Sequence, residues 1–273
     1  MRPPTSAAVD DSIPKSYARS NDPGARLRYT SIAVSETVHA AFTSPPRHFT
    51  LPDYGRDMRN QYQQQLDRVL IELVQMTGGV RAALDQATRA LLTADIGAAE
   101  SVISGDLAID EARERIEEES FDILARQAPV AGDLRMLVAS LRMVADLERM
   151  GDLSVHVAKV VRLRFPTRAV PPVLVPTISQ MAQTADEMIA AAAEIVATRD
   201  VDAARELESA DDTMDMLRRS MFRTLLSEHW DEGVEPAVDM ALLGRYYERI
   251  GDHAVSMARR IVFLVTGQHP AAV

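Results

Sequence analysis

Two five-residue stretches, Glu148-Arg149-Met150-Gly151-Asp152 and Glu248-Arg249-Ile250-Gly251-Asp252, repeat at an offset of 100 residues, so the chain must suit a fold that holds one element twice. In a helix, residues four apart lie about 40° from each other on one face, so each stretch aims a glutamate and an aspartate in one direction. Like charges at that spacing repel by roughly 0.2–0.5 kcal/mol per pair, and a glycine inside a helix costs about 1 kcal/mol relative to alanine. A cation shared between the carboxylates would offset the repulsion. The glycine would admit a closely packed neighbouring helix.

The repetition extends beyond these stretches. At an offset of 105 residues, Gln75-Met76 falls on Gln180-Met181, Thr93-Ala94-Asp95 on Thr198-Arg199-Asp200, and Ala98-Ala99 on Ala203-Ala204. Asp106 and Asp110 fall on Asp211 and Asp215. The change from 105 to 100 shortens the second half by five residues in the turn before its last helix. Each half is a three-helix unit with one carboxylate plan, and the expected fold class is all-α, two repeated three-helix bundles in tandem.

From Met58 onward the apolar residues keep helical period and the composition favours helix. The expected helices run Met58 to Thr93, Ile96 to Arg126 behind an Asp95 N-cap, and from Pro129 to Phe165-Pro166. After a linker holding Pro171, Pro172 and Pro176 come Pro176 to Thr198, Val201 to Glu228, and a last helix from Pro236 to Val265, stopped by Gly267. Residues 58–168 and 174–267 are the two expected repeats. Residues 1–57 hold seven of the 14 prolines and show no sustained period, so they read as a disordered extension. That stretch carries seven basic and six acidic residues, about +1, so the formal charge of −10 resides wholly in the helical part.

Such a charge argues against nucleic-acid binding and favours cations or basic protein surfaces. No apolar run approaches the roughly 20 residues that span a bilayer, and the N-terminus lacks a secretory pattern, so a cytoplasmic location is expected. Without cysteine, any metal must sit on oxygen or nitrogen.

Four carboxylates per half fall on two consecutive helices: Asp106, Asp110, Glu148 and Asp152, then Asp211, Asp215, Glu248 and Asp252. Antiparallel neighbours would let the pairs of each half converge into an oxygen-rich cluster suited to Mg²⁺, Mn²⁺, Ca²⁺ or iron. The alternative is a set of solvated acidic faces. Glu208 and Asp212 also stand four apart, but the 105-residue offset selects Asp211 and Asp215. His156 continues the Glu148–Asp152 stripe by one turn and could add a nitrogen ligand, yet Ser256 stands in its place in the second half, which points to a surface or helix-packing histidine. Arg149 and Arg249 either neutralise a neighbouring carboxylate or face water. A di-iron bundle enzyme would need Glu-x-x-His on the metal-bearing helices, and the helical segments contain none. A His-Glu-x-x-His zinc motif and the glycine-rich phosphate loops are absent as well.

The stretch Ala125-Arg126-Gln127-Ala128-Pro129-Val130-Ala131-Gly132-Asp133-Leu134-Arg135, then Asp146-Leu147-Glu148-Arg149-Met150-Gly151-Asp152 and Tyr247-Glu248-Arg249-Ile250-Gly251-Asp252-His253, resembles the signatures of the PhoU family across about 58–267. The resemblance implies a cytoplasmic phosphate-signalling regulator built from two similar three-helix bundles. It implies iron, zinc, Mg²⁺ or Mn²⁺ held by the motif carboxylates, which here are Asp106, Asp110, Glu148, Asp152, Asp211, Asp215, Glu248 and Asp252. It also implies two partners, the ATPase subunit of the phosphate ABC transporter and the sensor histidine kinase of the phosphate two-component system; the expected assembly is a homodimer. Ser256, where many relatives carry asparagine, departs from the pattern. The other reading of the same carboxylates is a helical metalloenzyme or cation store.

Overall fold

The computed structural model describes residues 53–268, in which every regular element is helical. The expected disordered extension falls almost wholly outside that range. Helix α1 (Asp53–Thr93) begins ahead of Met58, and its 41 residues span about 60 Å. It is followed by α2 (Ile96–Gly105), α3 (Leu107–Gln127) and α4 (Ala131–Arg164). A 3-10 turn, Pro172–Leu174, leads into the second half: α5 (Val175–Thr198), α6 (Val201–Leu225) and α7 (Val234–Thr266).

The helix ends repeat as the sequence does. Asp95 accepts from the Ala98 amide at 3.0 Å, and Asp200 accepts from the amides of Asp202 and Ala203 at 2.8 and 3.0 Å. Ahead of each cap, Ala94 and Arg199 take the left-handed conformation, with φ of 55° and 57°. Pro176 and Pro236 sit in first turns, where no amide partner is lost.

The helix expected over Ile96 to Arg126 is interrupted at Asp106. Its backbone stays helical, with φ −58° and ψ −34°, but its carbonyl accepts from Ile109 at 2.9 Å in a tightened turn. Gly105 precedes this point, whereas Ala210 holds the equivalent place in the unbroken α6. The difference in helix propensity between the two, roughly 1 kcal/mol, favours the break in the first half without alone deciding it. Helix α6 also ends at Leu225, short of the expected Glu228.

The halves pack side by side over one continuous core, α1 against α5 and α4 against α7. Their seam has pseudo-twofold symmetry. Arg81 and Asp186, equivalent at offset 105, form a bidentate pair at 2.7 and 2.8 Å. At offset 100, the Asp146–Ser256 hydrogen bond has its mate in His156 stacked on Tyr246, ring centres 5.4 Å apart. His156 is therefore a packing residue. Tyr247, fully buried, shares a 2.9 Å hydrogen bond with Thr88 across the seam.

Candidate metal centres

Each glycine of the repeated stretch sits under side chains of neighbouring helices. A Cβ on Gly151 would lie 3.0 Å from Ile109 Cδ1 and 3.5 Å from Asp106 Oδ1; one on Gly251 would lie 3.1 Å from Met188 Sδ and 3.7 Å from Asp211 Oδ1. Asp106 and Asp211 thus hang over the same backbone position in their halves, as the 105-residue register requires. Asp212 is exposed, and Glu208 is drawn off by Arg259 at 2.7 Å.

The quartets gather electrostatically. Burial raises the Asp106 carboxyl above its ordinary value, and Asp152, Asp110 and Glu148 push it further, against a smaller pull from Lys159. Asp211 is raised by burial and then by Asp252, Asp215 and Glu248, with Arg259 opposing. Asp252 is raised too, by burial first and Glu248 second. Asp106 and Asp211 each thus feel the other three carboxylates of their own half. Among the described residues, no group of three or more His, Asp or Glu side chains stands ready to hold a metal as placed.

The clusters differ in their counter-charges. In the first, Asp106, Asp110, Glu148 and Asp152 enter no ion pair among the described residues. In the second, Glu248 accepts from Arg218 at 2.8 Å and from Arg245, and Asp215 from Arg219 at 2.9 Å. The cause lies in three positions, one of them Arg219 itself, which stands where the first half has Glu114. Arg113, the equivalent of Arg218, is captured along its own helix by Glu117 at 3.1 Å. Phe222 replaces that glutamate in the second half, and Arg218 lies over its ring at 5.7 Å and reaches Glu248. Arg245 stands where the first half has Ala145. The first quartet is an all-oxygen set with no ion pair among the described residues, and the second is already partly neutralised. The hydrogen-bonding arginines lay beyond sequence reasoning, although Glu117 against Phe222 and Ala145 against Arg245 were visible breaks in the repeat.

A third polar group ties α4 to α7. Asp146, buried, accepts from His253 Nδ1 at 3.0 Å, Ser256 at 3.2 Å and Arg260 at 2.9 Å. Burial alone would raise this carboxyl, but the hydrogen bonds from His253 and Arg260, with the charge of Arg260, hold it below its ordinary value. Ser256 is spent here, on the seam, and adds nothing to the second cluster. Arg149 faces solvent, and Arg249 is half-buried.

Against known proteins, the profile of the PhoU domain matches twice, over residues 73–161 and 178–261. The chain belongs to the PhoU family. The phosphate-specific transport system accessory protein PhoU homolog 2 of Mycobacterium tuberculosis is 44% identical over 213 residues, 78% of this chain and all of that one. The PhoU homolog of Rhizobium meliloti is 29% identical, covering 77% of this chain and 89% of its own. Among solved structures, PhoU from Pseudomonas aeruginosa superposes with a TM-score of 0.68 at 29% identity, covering 76% of this chain and 100% of its own. The PhoU regulatory protein of Streptococcus pneumoniae gives 0.70 at 22%, covering 77% and 100%, a likeness of fold alone. Both PhoU-domain matches contain the Glu-x-x-Gly-Asp stretch and the two aspartates facing it.

Proposed function

We propose that this chain is an accessory regulator of phosphate transport that holds phosphate uptake and the phosphate-starvation response in check. It acts in the cytoplasm as an adaptor between the transporter ATPase and the sensor histidine kinase, as a homodimer. The carrying observation is the 44% identity along the whole of a mycobacterial phosphate-transport accessory protein. No helix among the described residues is long and apolar enough to cross a membrane, which suits a protein reaching the membrane through its partners.

Metal belongs to this reading at the first cluster, where Asp106, Asp110, Glu148 and Asp152 would hold a hard cation and so neutralise a run of like charge. Its contribution is structural, drawing α2, α3 and α4 together. Ser256 and His253 both donate to Asp146 and not to one another, so that set joins helices and does not assemble a nucleophile.

The test is genetic. Deleting the gene should switch phosphate-scavenging genes on in phosphate-rich medium, a copy encoding residues 53–273 should restore repression, and the phenotype should vanish without the sensor kinase. Persistent repression after deletion of this gene and of any paralogue would defeat the adaptor reading.

A further inference from the structure

The two halves also differ on the flank formed by their first and second helices. Between α5 and α6 runs an open groove of about 430 Å³, floored by Met188, Ala191, Ile195, Leu207 and Ala210. Its rim carries Glu187, Glu194 and Glu206, all exposed, and no lysine or arginine lines it. In the first half the corresponding space is bridged. Gln86, the equivalent of Ala191, donates from Nε2 to the Ala98 carbonyl on the facing helix at 3.4 Å. The rim changes with it, since Ala82, Arg89 and Ser101 stand where the second half has Glu187, Glu194 and Glu206. Losing the bridge and gaining three carboxylates at equivalent positions yields a cleft with an apolar floor and an anionic edge.

We propose that this groove is a docking site for one amphipathic basic helix of a partner protein, with small apolar side chains inward and lysine or arginine outward. A trough between two packed helices receives a third by the same ridge-and-groove packing. From Thr184 to Thr198 it runs about 21 Å, the length of some four helical turns. An extended peptide would need a sheet edge, and the described residues contain no strand. The rim selects against acidic and in favour of basic partners. Met188 joins this surface to the second carboxylate cluster, because its sulfur also packs on Gly251, next to Asp252.

The probe is a fluorescein-labelled Lys/Ala/Leu peptide about 16 residues long, with leucines at i, i+4, i+7 and i+11, added to the full chain and read by anisotropy. Binding should weaken about tenfold in A191Q, which restores the bridge of the first half, and by at least as much in E194K/E206K, a step of about 1.4 kcal/mol or more. Q86A should bind as the native chain does. Circular dichroism melts of the variants should match the native curve, since A191Q places a residue the repeat already accommodates. The proposal is overturned if A191Q and E194K/E206K bind as well as the native chain, or if a scrambled peptide of the same charge binds equally. It also falls if A191Q turns a dimer into a monomer by sedimentation, because the occupant would then be a second copy of the chain. The measurement uses neither transporter nor kinase, so its failure and that of the adaptor reading are separable.

Discussion

The first carboxylate quartet makes no ion pair among the described residues, Lys159 acting on Asp106 only at a distance, while the second has two of its four members bound by arginines of its own half. Both descend from one plan, with a glycine under an aspartate and a Glu-x-x-x-Asp pair opposite, so the contrast comes from what surrounds the plan. A phenylalanine in place of a glutamate frees Arg218 to cross between helices, and an arginine in place of an alanine adds a second donor. Repeated motifs need not keep repeated chemistry. When a half supplies guanidinium groups, it reduces the demand that a metal would otherwise meet.

The largest effect should appear in metal content. Replacing Glu148 and Asp152 with alanine should remove most bound metal by elemental analysis, whereas the same change at Glu248 and Asp252 should remove little. Equal losses would break the comparison and make the arginines incidental. Unchanged metal in both variants would return all eight residues to solvated acidic faces.

A smaller but more telling effect is a gain. F222E combined with R245A and R219E rebuilds the surroundings of the first quartet around the second, with a glutamate to hold Arg218 on its own helix and no donor at 219 or 245. Metal bound per chain should rise toward twice the native value, while E117F, which releases Arg113 toward Glu148, should lower it.

Much of this molecule is legible in its residues alone. The caps at Asp95 and Asp200, the proline starts and the glycine stop at 267 mark helix ends because each satisfies or removes a specific backbone group. The quartets are legible because register carries them. Less visible is the break at Asp106, since a single glycine shifts the balance by only about 1 kcal/mol and tertiary packing decides the outcome. The Asp146–His253–Arg260 network joins residues more than 100 apart that share no repeat position, so no pattern announces it. Arg81 and Asp186 are the exception, because opposite charges at one repeat position are what a twofold seam needs.

Proton linkage separates the halves more gently. Asp106, Asp211 and Asp252 have carboxyls raised in the fold, so each contributes stability that is complete below the ordinary value of 3.8 and is lost as pH rises through its raised value. Asp146 is lowered, and its contribution is complete above that ordinary value and lost on further acidification. Through these three carboxyls, metal-free protein should therefore melt higher at pH 4.5 than at pH 7. D106N removes one raised carboxyl and should raise the melting temperature at pH 7 while flattening the profile. D211N should do less, because the arginines on Asp215 and Glu248 already relieve its neighbours. A larger gain from D211N would reverse the order of the clusters.

The smallest effect concerns the glycines that let these helices meet. Alanine at either position gains about 1 kcal/mol of helix propensity and must find room for one methyl group. At Gly151 the obstacle is Ile109, whose Cδ1 and Cγ2 would lie 3.0 and 3.3 Å away; a β-branched side chain in a helix has little freedom to turn aside. At Gly251 the obstacle is the end of Met188, with Sδ and Cε at 3.1 and 3.3 Å, an unbranched side chain that can re-aim. G151A should therefore lose about 1 kcal/mol net after overpacking, while G251A should be near neutral. Denaturant melts of the metal-free protein would measure both, and I109A should rescue G151A by clearing the obstacle. If G251A were the more damaging change, the second interface would be the rigid one, and Met188 could not serve as the adjustable contact between the groove and the carboxylates.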